Sequence, residues 1–437
     1  GATINNQGTA VNFGATGSAS WVTTVKTSTF TAVAGEGYFI NTTGGVVSVN
    51  LPAGVAGAVV AIKDYAGTFD TNAVTLVQNG SDKIGGSTVN ATLDTEGIAV
   101  TLVFIDSTQG WLVTDSGLQD EASTAQYITA TGGTITTVCT NFKVHTFTGP
   151  GTFAVCSTGN AAGSNTVDYL VIGGGGSSSQ GGPSTHAGGG GGAGGYRFSN
   201  GTASGCYSAG PSPLGVSALP VSAQSYSIAV GAGGARVPGS CQQPGLIGAV
   251  STFSTITSAG GGAGRMTVGT IPSGPDSANG GSGGGGAGPW PGGNISLPGG
   301  AGNTPPVSPS QGNPGGTTTT NNNSGGSGGG AGGAGSATPG STYGGDGGIG
   351  LASSITGAAV TRGGGGGGSG LAGKGGAAGP GGGGAGGMVP NTPGVAGTAN
   401  TGGGAGGGAS KDPPGSQTSY SAAGGSGIVI IRYKFQN

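Results

Sequence analysis

The sequence predicts an all-β protein in which N-terminal antiparallel β-sandwich modules precede a glycine-rich domain of extended runs clamped by short strands. Three observations support this fold class. Short runs rich in valine, isoleucine and threonine recur before residue 173. No segment there keeps a helical apolar period for three turns. Of the 111 glycines, 88 lie in residues 173–437, where they make up one third of the chain.

The composition excludes several classes of function. Charged residues make up only 6% of the 437 residues, and there are two histidines, so we expect no enzymatic activity and no cofactor. We expect His145 to be a packed or surface residue rather than a base. The chain has no cluster of lysine or arginine, which argues against a nucleic-acid partner. The longest apolar run, residues 428–431, is far shorter than the roughly 20 residues of a membrane helix, so no membrane insertion is expected.

The first 172 residues divide into three predicted segments. Residues 1–23 are small, polar and glycine-spotted, and are predicted to be a connector from a preceding shaft. Residues 24–120 are predicted to be an antiparallel β domain, because strand-like runs recur there and each is closed by Gly, Asn, Asp or Pro. Residues 121–172 are predicted to be a β linker or frame. Within it, residues 141–156 read as a hairpin turning at Gly149-Pro150-Gly151.

Residues 173–437 begin and end against strands. The apolar run VDYLVI at 167–172 abuts the first glycines, and the chain finishes with a predicted strand at 427–435. We therefore expect a small β frame that clamps the glycine-rich region, with its first and last strands as neighbours. The balance of charge changes at the same boundary, from 4 basic and 11 acidic side chains before residue 173 to 8 basic and 3 acidic after it.

The glycine tracts, such as residues 188–195, 280–286, 325–335 and 363–387, have three physical interpretations. Collagen is excluded, because its glycine recurs at every third position and these tracts contain consecutive glycines. A flexible linker is the simplest alternative for this composition. The favoured interpretation is a bundle of polyproline-II-type runs, in which bare backbones approach closely and pair their N–H and C=O groups laterally.

If the tracts are a scaffold, binding residues lie in the segments between them. These segments are residues 197–219, 236–247, 265–275, 289–298, 303–323, and 388–400 together with 411–420. Trp290 is the sharpest candidate, since it is flanked by prolines and does not fit an all-glycine lattice. It either contacts a receptor or caps the end of the bundle. The other candidates are Asn294, Arg265, Met266, Tyr207 and Arg236.

The four cysteines lack the CxxC spacing typical of zinc sites, and we expect no metal site. Cys139 and Cys156 flank the predicted hairpin turn at similar distances, so they are candidates for a disulfide across it. Cys206 and Cys241 would then link two distal loops. Free, buried thiols are the alternative for both pairs.

Several motifs resemble those of bacteriophage tail fibres, particularly those of marine phages. In the N-terminal part these are YFINTTGG, AIKDYAGT with TNAVTLVQNGSDKIGG, and GWLVTDSG. In the C-terminal part VDYLVIGGGG, GGGGGAGGYRFS, SIAVGAGG, TFSTITSAGGGG and SGIVIIRY resemble the glycine-rich domain of tail fibres and related receptor-binding adhesins. The resemblance implies a homotrimeric fibre whose distal polyglycine bundle presents variable loops to the host.

The sequence therefore predicts a structural and adhesive protein of the virion, located in a tail fibre, that attaches the virion to a bacterial surface. Its expected partners are two further copies of itself, other tail proteins at its N-terminus, and a bacterial surface glycan or outer-membrane protein. Two alternatives stay open. One is a secreted bacterial surface adhesin or filament subunit, which would share the bundle physics. The other is a glycine-rich ice-binding protein, although that type keeps glycine at every third residue.

Overall fold

The structure is a computed structural model, and it confirms the all-β class. Its described residues hold many strands and a single short 3-10 helix, Pro275–Ala278. The chain divides into two compact units, Gly1–Thr124 (unit 1) and Ala125–Asn437 (unit 2). The described residues are 3–4, 10–11, 19–118, 125–160, 163–181, 187–205, 207–211, 214–238, 243–268, 271–272, 275–288, 296–319, 324–340, 342–371, 374–388, 392–409 and 421–436.

Unit 1 contains two sheets that enclose one apolar core, together with a separate two-stranded pair, β1–β2. One sheet has the order β11-β10-β7-β5-β3 and the other β4-β6-β8-β9. The strands are β1 (Thr3–Ile4), β2 (Ala10–Val11), β3 (Ser20–Lys26), β4 (Phe30–Thr31), β5 (Glu36–Ile40), β6 (Val47–Asn50), β7 (Val59–Asp64), β8 (Val74–Val77), β9 (Ala91–Leu93), β10 (Ala99–Phe104) and β11 (Trp111–Gly117).

The antiparallel prediction for unit 1 is only partly correct, because both sheets are mixed. From β3 to β8 the chain crosses from one sheet to the other after every strand, so strands two apart in sequence become parallel neighbours. Antiparallel pairing appears only where β9, β10 and β11 close the two sheets. In addition, β3 begins at Ser20, inside the segment predicted to be a connector. Alternation still places side chains as expected, since Val100, Leu102 and Phe104 of β10 all face the core.

A buried carboxylate organises the loop after β7. Asp64 is 3% exposed, and its two oxygens accept hydrogen bonds only from backbone N–H groups. These donors, at 2.9–3.3 Å, belong to Ala66, Gly67, Thr68, Phe69 and Gly97. The carboxylate therefore joins the 64–69 loop to the segment that precedes β10.

Unit 2 contains a strand frame and a bundle of glycine runs. The frame strands are β12 (Thr129–Thr131), β13 (Thr134–Val138), β14 (Phe142–Phe147), β15 (Gly151–Ser157), β16 (Thr166–Ile172), β17 (Tyr196–Phe198), β18 (Leu219–Pro220), β19 (Ser225–Ala229), β20 (Ser251–Phe253), β21 (Ile256–Ser258) and β26 (Ile428–Lys434). Short pairs elsewhere in the unit are β22 (Thr267–Val268) with β23 (Ile271–Pro272), and β24 (Leu351–Ser353) with β25 (Val360–Arg362).

The frame confirms that the first and last strands around the glycine-rich region are neighbours. β26 lies between β14 and β16 in the sheet β13-β14-β26-β16-β17, and Ile172 pairs with Ile428 in an antiparallel register. The second sheet is β12-β15-β19-β20-β21. One apolar cluster, which includes Phe153, Tyr169 and Phe253, draws its residues from both sheets. A second cluster covers the other face of the first sheet.

The predicted hairpin at residues 141–156 is wrong. β14 pairs with β13 and β26, whereas β15 belongs to the second sheet and pairs with β12 and β19. The Gly149-Pro150-Gly151 segment is a crossover between sheets. A hairpin would have paired β14 with β15, the next strand in the sequence. Instead, the C-terminal strand β26 pairs with β14.

The runs of the bundle are joined by lateral backbone hydrogen bonds with a period of three residues. In the run 173–180, successive N–H groups donate to three different neighbouring runs in turn. This pattern matches a helix with three residues per turn. Gly173, Gly176 and Ser179 donate to the run 187–195; Gly174, Ser177 and Gln180 donate to the run 243–249; Gly175 and Ser178 donate to the run 421–427.

The run 187–195 lies at the centre of the bundle and has six neighbours. Its N–H groups donate to runs in three directions and its carbonyl groups accept from runs in three others, which is the connectivity of hexagonal packing. The acceptor runs are 402–408, 259–265 and 326–329, and the donor runs are 173–180, 282–285 and 366–369. The runs therefore form an ordered lattice, and the flexible-linker alternative is wrong for the described residues.

We expect Asp64→Ala to lower the free energy of unfolding of unit 1 by about 2–4 kcal/mol, because several buried N–H groups lose their acceptor. Urea denaturation followed by tryptophan fluorescence measures the change, since Trp111 lies in the unit 1 core. The matched control is Asp70→Ala, because Asp70 is exposed. Equal destabilisation by both variants would contradict the role given to Asp64.

We expect Gly191→Ala to lower the free energy of unfolding of unit 2 by at least about 2 kcal/mol. A Cβ at Gly191 would overlap the carbonyl oxygen of Gly176 in the next run. The control is Gly149→Ala, since a Cβ there meets no atom within 4 Å. A Gly191→Ala protein as stable as the control, with unchanged amide exchange in residues 187–195, would show that the lattice does not require close backbone approach.

Candidate functional site

The runs alternate in direction, so the segments that join them lie at two ends of the bundle. At the frame end the runs meet the strands: Gly173 follows β16, Gly195 precedes β17 and Gly427 precedes β26. At the opposite end, here called the loop end, other run termini come together. Gln180 Nε2 donates to the carbonyl of Val237 at 3.0 Å, Gly188 N–H to Gly408 at 3.0 Å, and Gly288 N–H to Ala187 at 3.1 Å.

The loop end is where most of the predicted binding segments are attached. The segments 182–186, 239–242, 289–295 and 410–420 lie outside the described residues. The described residues on both sides of each segment belong to the loop end of their runs, as their hydrogen bonds show. The lattice thus brings together the described flanks of segments that are far apart in sequence. We take the loop end as the candidate functional site.

Serine side chains replace lateral backbone bonds near this end. Ser177 and Ser178 accept hydrogen bonds through Oγ from the N–H groups of Leu246, at 2.7 Å, and Ala422, at 2.8 Å. Ser179 Oγ donates to the carbonyl of Arg265 at 2.6 Å and accepts from Gly189 N–H at 3.0 Å. Because these hydroxyl groups are buried and bonded, they hold the run termini in place rather than face a ligand.

Two of the predicted receptor residues are buried instead of exposed. Arg265 is 7% exposed, and its Nη1 donates to the carbonyl of Pro298 at 2.7 Å. Burial lowers the pKa of its guanidinium. Met266 is 2% exposed. Both residues follow a glycine tract and were therefore predicted to belong to an exposed segment. The hydrogen-bonded lattice extends beyond the tract, since Arg265 N–H donates to the carbonyl of Gly285 in a neighbouring run. The prediction that they contact a receptor is wrong for their side chains in this structure.

Tyr207 and Arg236 have different environments. Tyr207 is half-buried in the frame, with its ring centroid 4.7 Å from the guanidinium carbon of Arg432, and burial raises the pKa of its hydroxyl. Tyr207 lies away from the loop end, and its receptor role stays a prediction. Arg236 is exposed and lies next to Val237 at the loop end. Trp290 and Asn294 lie outside the described residues, so their roles stay predictions.

The predicted disulfide between Cys139 and Cys156 is wrong. Both residues are exposed thiols. Cys139 lies in the turn between β13 and β14, whereas Cys156 lies on β15 in the other sheet, so they do not flank a common turn. Cys206 and Cys241 lie outside the described residues, as does His186.

Two residues of the loop end were missed by the sequence analysis. Tyr343 is 51% exposed and forms an isolated bridge with Lys374, which is also exposed. The neighbouring Gly344 N–H donates to the Lys374 carbonyl at 3.0 Å, which brings the two side chains to adjacent run termini. The sequence contains the feature that could have identified Tyr343, because it is an aromatic residue between glycine runs, as Trp290 is. An aromatic ring beside an amine is suited to hydrogen bonding and stacking with a polar ligand.

Other kinds of site do not appear in the described part of the chain. It contains no group of three or more His, Cys, Asp or Glu side chains placed to hold a metal ion. None of its helices combines the length and the apolar character needed to cross a membrane.

The comparison with protein families places the bundle and most of its frame in one family. The profile described as Glycine-rich domain matches residues 146–434, which is more than half of the chain. The chain belongs to the glycine-rich domain family. No curated protein matches the chain. The matched region of the glycine-rich domain runs from β14 to the end of β26, so it includes the strands that clamp the bundle as well as the glycine runs.

The strand frame of unit 2 contains a fully buried histidine. His145 is 0% exposed, its Nδ1 lies 2.7 Å from the carbonyl oxygen of Gly132, and its Nε2 lies 3.1 Å from the Tyr433 hydroxyl. Burial lowers the pKa of His145 below the usual 6.5. The residue is packed, which is one of the two predicted environments.

We expect the free energy of unfolding of unit 2 to fall as the pH is lowered below about 6.5. The unfolded state binds the His145 proton at a higher pH than the folded state, so protonation favours unfolding, with a slope of at most about 1.4 kcal/mol per pH unit. Urea denaturation between pH 7 and pH 5 measures this slope. The slope should decrease in His145→Gln but not in His186→Gln, and an unchanged slope in His145→Gln would contradict the assignment.

Proposed function

We propose that the protein is the receptor-binding part of a bacteriophage tail fibre that attaches the virion to a bacterial surface through its loop end. The observation that carries this proposal is that the described residues flanking four run-joining segments meet at one end of a hydrogen-bonded lattice. The opposite end is occupied by the strand frame. Membership of the glycine-rich domain family and the tail-fibre resemblance of the N-terminal motifs support the same role.

The architecture suits a binding surface whose sequence must vary. The lattice is held by backbone hydrogen bonds between glycines, so it does not depend on the side chains of the segments that leave it. Binding residues are commonly found on loops positioned by a rigid scaffold. A phage could therefore change the loop-end segments to recognise a new host while the bundle stays the same.

Three described side chains are the proposed receptor contacts: Arg236, Tyr343 and Lys374. All three are exposed at the loop end. Trp290 and Asn294, in the segment attached beside Gly288, complete the proposed set. Aromatic rings give a large contact area at low cost in conformational entropy, and arginine supplies several directed hydrogen bonds. This chemistry fits a surface glycan or a polar loop of an outer-membrane protein.

The proposed assembly is a homotrimer that binds other tail proteins at its N-terminus. Two observations support a partner along the bundle. Leu246, Ile247 and Val250 are each at least half exposed on one outer run. Two glycines of the same run, Gly245 before Leu246 and Gly248 after Ile247, are buried and face the lattice. An apolar edge of this kind is a candidate contact between copies of the chain.

We expect replacement of residues 289–295 by glycine and serine to reduce binding of the full-length protein to susceptible bacterial cells at least about tenfold, with Tyr343→Ser and Lys374→Ser giving smaller losses. Binding of fluorescently labelled protein to cells measures the effect. The matched control replaces residues 306–308 by glycine and serine, because that loop lies at the frame end between Asn303 and Gln311.

Undiminished binding after the 289–295 replacement, with all of the loop-end variants folded, would contradict the loop end as the receptor site. Equal loss in the frame-end control would indicate a general effect on stability. A further outcome is that binding depends on the loop end but the protein is absent from purified particles that carry a capsid. That result would assign the chain to a cellular surface adhesin instead of a phage.

A further inference from the structure

Two buried donor groups stand where glycine runs meet the strands of unit 2. Tyr196 is the first residue of β17 and directly follows the run 187–195. Arg362 is the last residue of β25 and directly precedes the run that begins at Gly363. These two runs are themselves hydrogen-bonded, since Gly366 N–H donates to Gly191 at 3.0 Å and Ser369 N–H to Gly188 at 3.2 Å.

Both groups lack a hydrogen-bond acceptor. Arg362 is 8% exposed and its buried Nη1 has no partner; Tyr196 is 3% exposed and its buried hydroxyl has none. The Tyr196 ring lies beside the residue that follows Arg362, since a Cβ at Gly363 would be 3.3 Å from Cδ2 of Tyr196. A buried polar group without a partner costs about 1–3 kcal/mol, and more if it is charged, so a pair of such donors indicates a missing acceptor between them.

An acceptor that carries negative charge would also neutralise the Arg362 guanidinium. No carboxylate forms an ion pair with Arg362 within the described ranges, and of those near the frame Asp168 is taken by the hydroxyls of Ser199 and Ser204. Tyr196 cannot supply the charge, because burial raises its pKa and the nearby guanidinium offsets only part of that increase. A bound water molecule would accept the hydrogen bonds but leave the guanidinium unneutralised.

The other two buried arginines of unit 2 also have buried nitrogens without a partner, Nε and Nη2 of Arg432 and Nε of Arg265, but each has compensating contacts that Arg362 lacks. Arg432 lies between two rings, with its guanidinium carbon 4.7 Å from the centroids of both Phe142 and Tyr207, and it pairs across the sheet with Asp168. Arg265 donates to the Pro298 carbonyl. Arg362 therefore stands apart as a buried cation without a ring, a carbonyl or a carboxylate partner among the described residues.

We propose that unit 2 binds a small monovalent anion, chloride in ordinary buffers, between Nη1 of Arg362 and the hydroxyl of Tyr196. Both groups donate to the anion, which neutralises the guanidinium. Because Tyr196 ends one run and Arg362 begins another, the anion joins the frame ends of two neighbouring runs. Its effect is to stabilise the junction between lattice and frame, independently of any receptor.

The site can be tested by exchanging chloride for bromide in crystals of the full-length protein and measuring anomalous scattering. We expect a bromide peak within hydrogen-bonding distance of both groups, and none there in Tyr196→Phe or Arg362→Gln crystals. A water molecule at this position in crystals soaked with bromide would overturn the proposal, as would no density between the two groups.

A solution measurement keeps the proposal testable if a variant does not crystallise. We expect the melting temperature of unit 2 to rise by about 3 °C when gluconate is replaced by chloride at constant ionic strength, because an anion bound only to the folded state stabilises it by mass action. The rise should be lost in Tyr196→Phe and Arg362→Gln, and retained in Arg236→Gln, which removes an exposed arginine. The same rise in all four proteins would contradict a specific site.

Discussion

Unit 2 depends on peptide backbones that lie side by side with no side chain between them. In the run 187–195 nearly every N–H and C=O group forms a hydrogen bond with another run. A strand in a sheet forms such bonds only within the plane of the sheet, whereas this run forms them in six directions. Ordering glycine is costly, since its unfolded state has the largest backbone freedom, at roughly 1–2 kcal/mol per residue. The lattice offsets this entropy cost because nearly all of its peptide groups are both hydrogen-bonded and shielded from water. A single Cβ inside it meets a carbonyl oxygen of the next run.

Glycine runs have no side chains that could fix the length of each run or its register against its neighbours. The strands of the frame fix both. β16 delivers the chain to Gly173 and β26 receives it after Gly427, and their pairing fixes both entry and exit points. Apolar side chains such as Val171, Val429 and Ile431 give this pair a conventional core. The bundle therefore obtains its specificity from a small β structure, whereas its rigidity comes from its own backbone.

The few larger side chains inside the lattice have specific partners. Ser177, Ser178 and Ser179 use their hydroxyls to complete bonds near the loop end. Buried charge is concentrated at the frame, where Arg432 is placed between aromatic rings. Unit 1 uses the opposite strategy, with alternating apolar strands around Trp111 and a carboxylate, Asp64, that satisfies backbone donors in a loop. The two units thus satisfy the same requirement, paired polar groups in the interior, by different means.

The sequence by itself determined the fold class, the glycine lattice and the strands that clamp it, because these follow from local composition: no side chain, no helical period, and an apolar strand at each boundary. It also predicted that any binding segments lie between the tracts. Pairing partners were decided only by the tertiary structure. β14 left its expected hairpin because β26, almost three hundred residues away, offered a more strongly apolar and more fully buried partner than β15. Parallel pairing in unit 1 follows from crossings between sheets that no local pattern records. Arg265 and Met266 are buried because the lattice extends past Gly264, the glycine that precedes them. The exposure of a side chain at such a position depends on which runs surround it, and only the tertiary structure decides this.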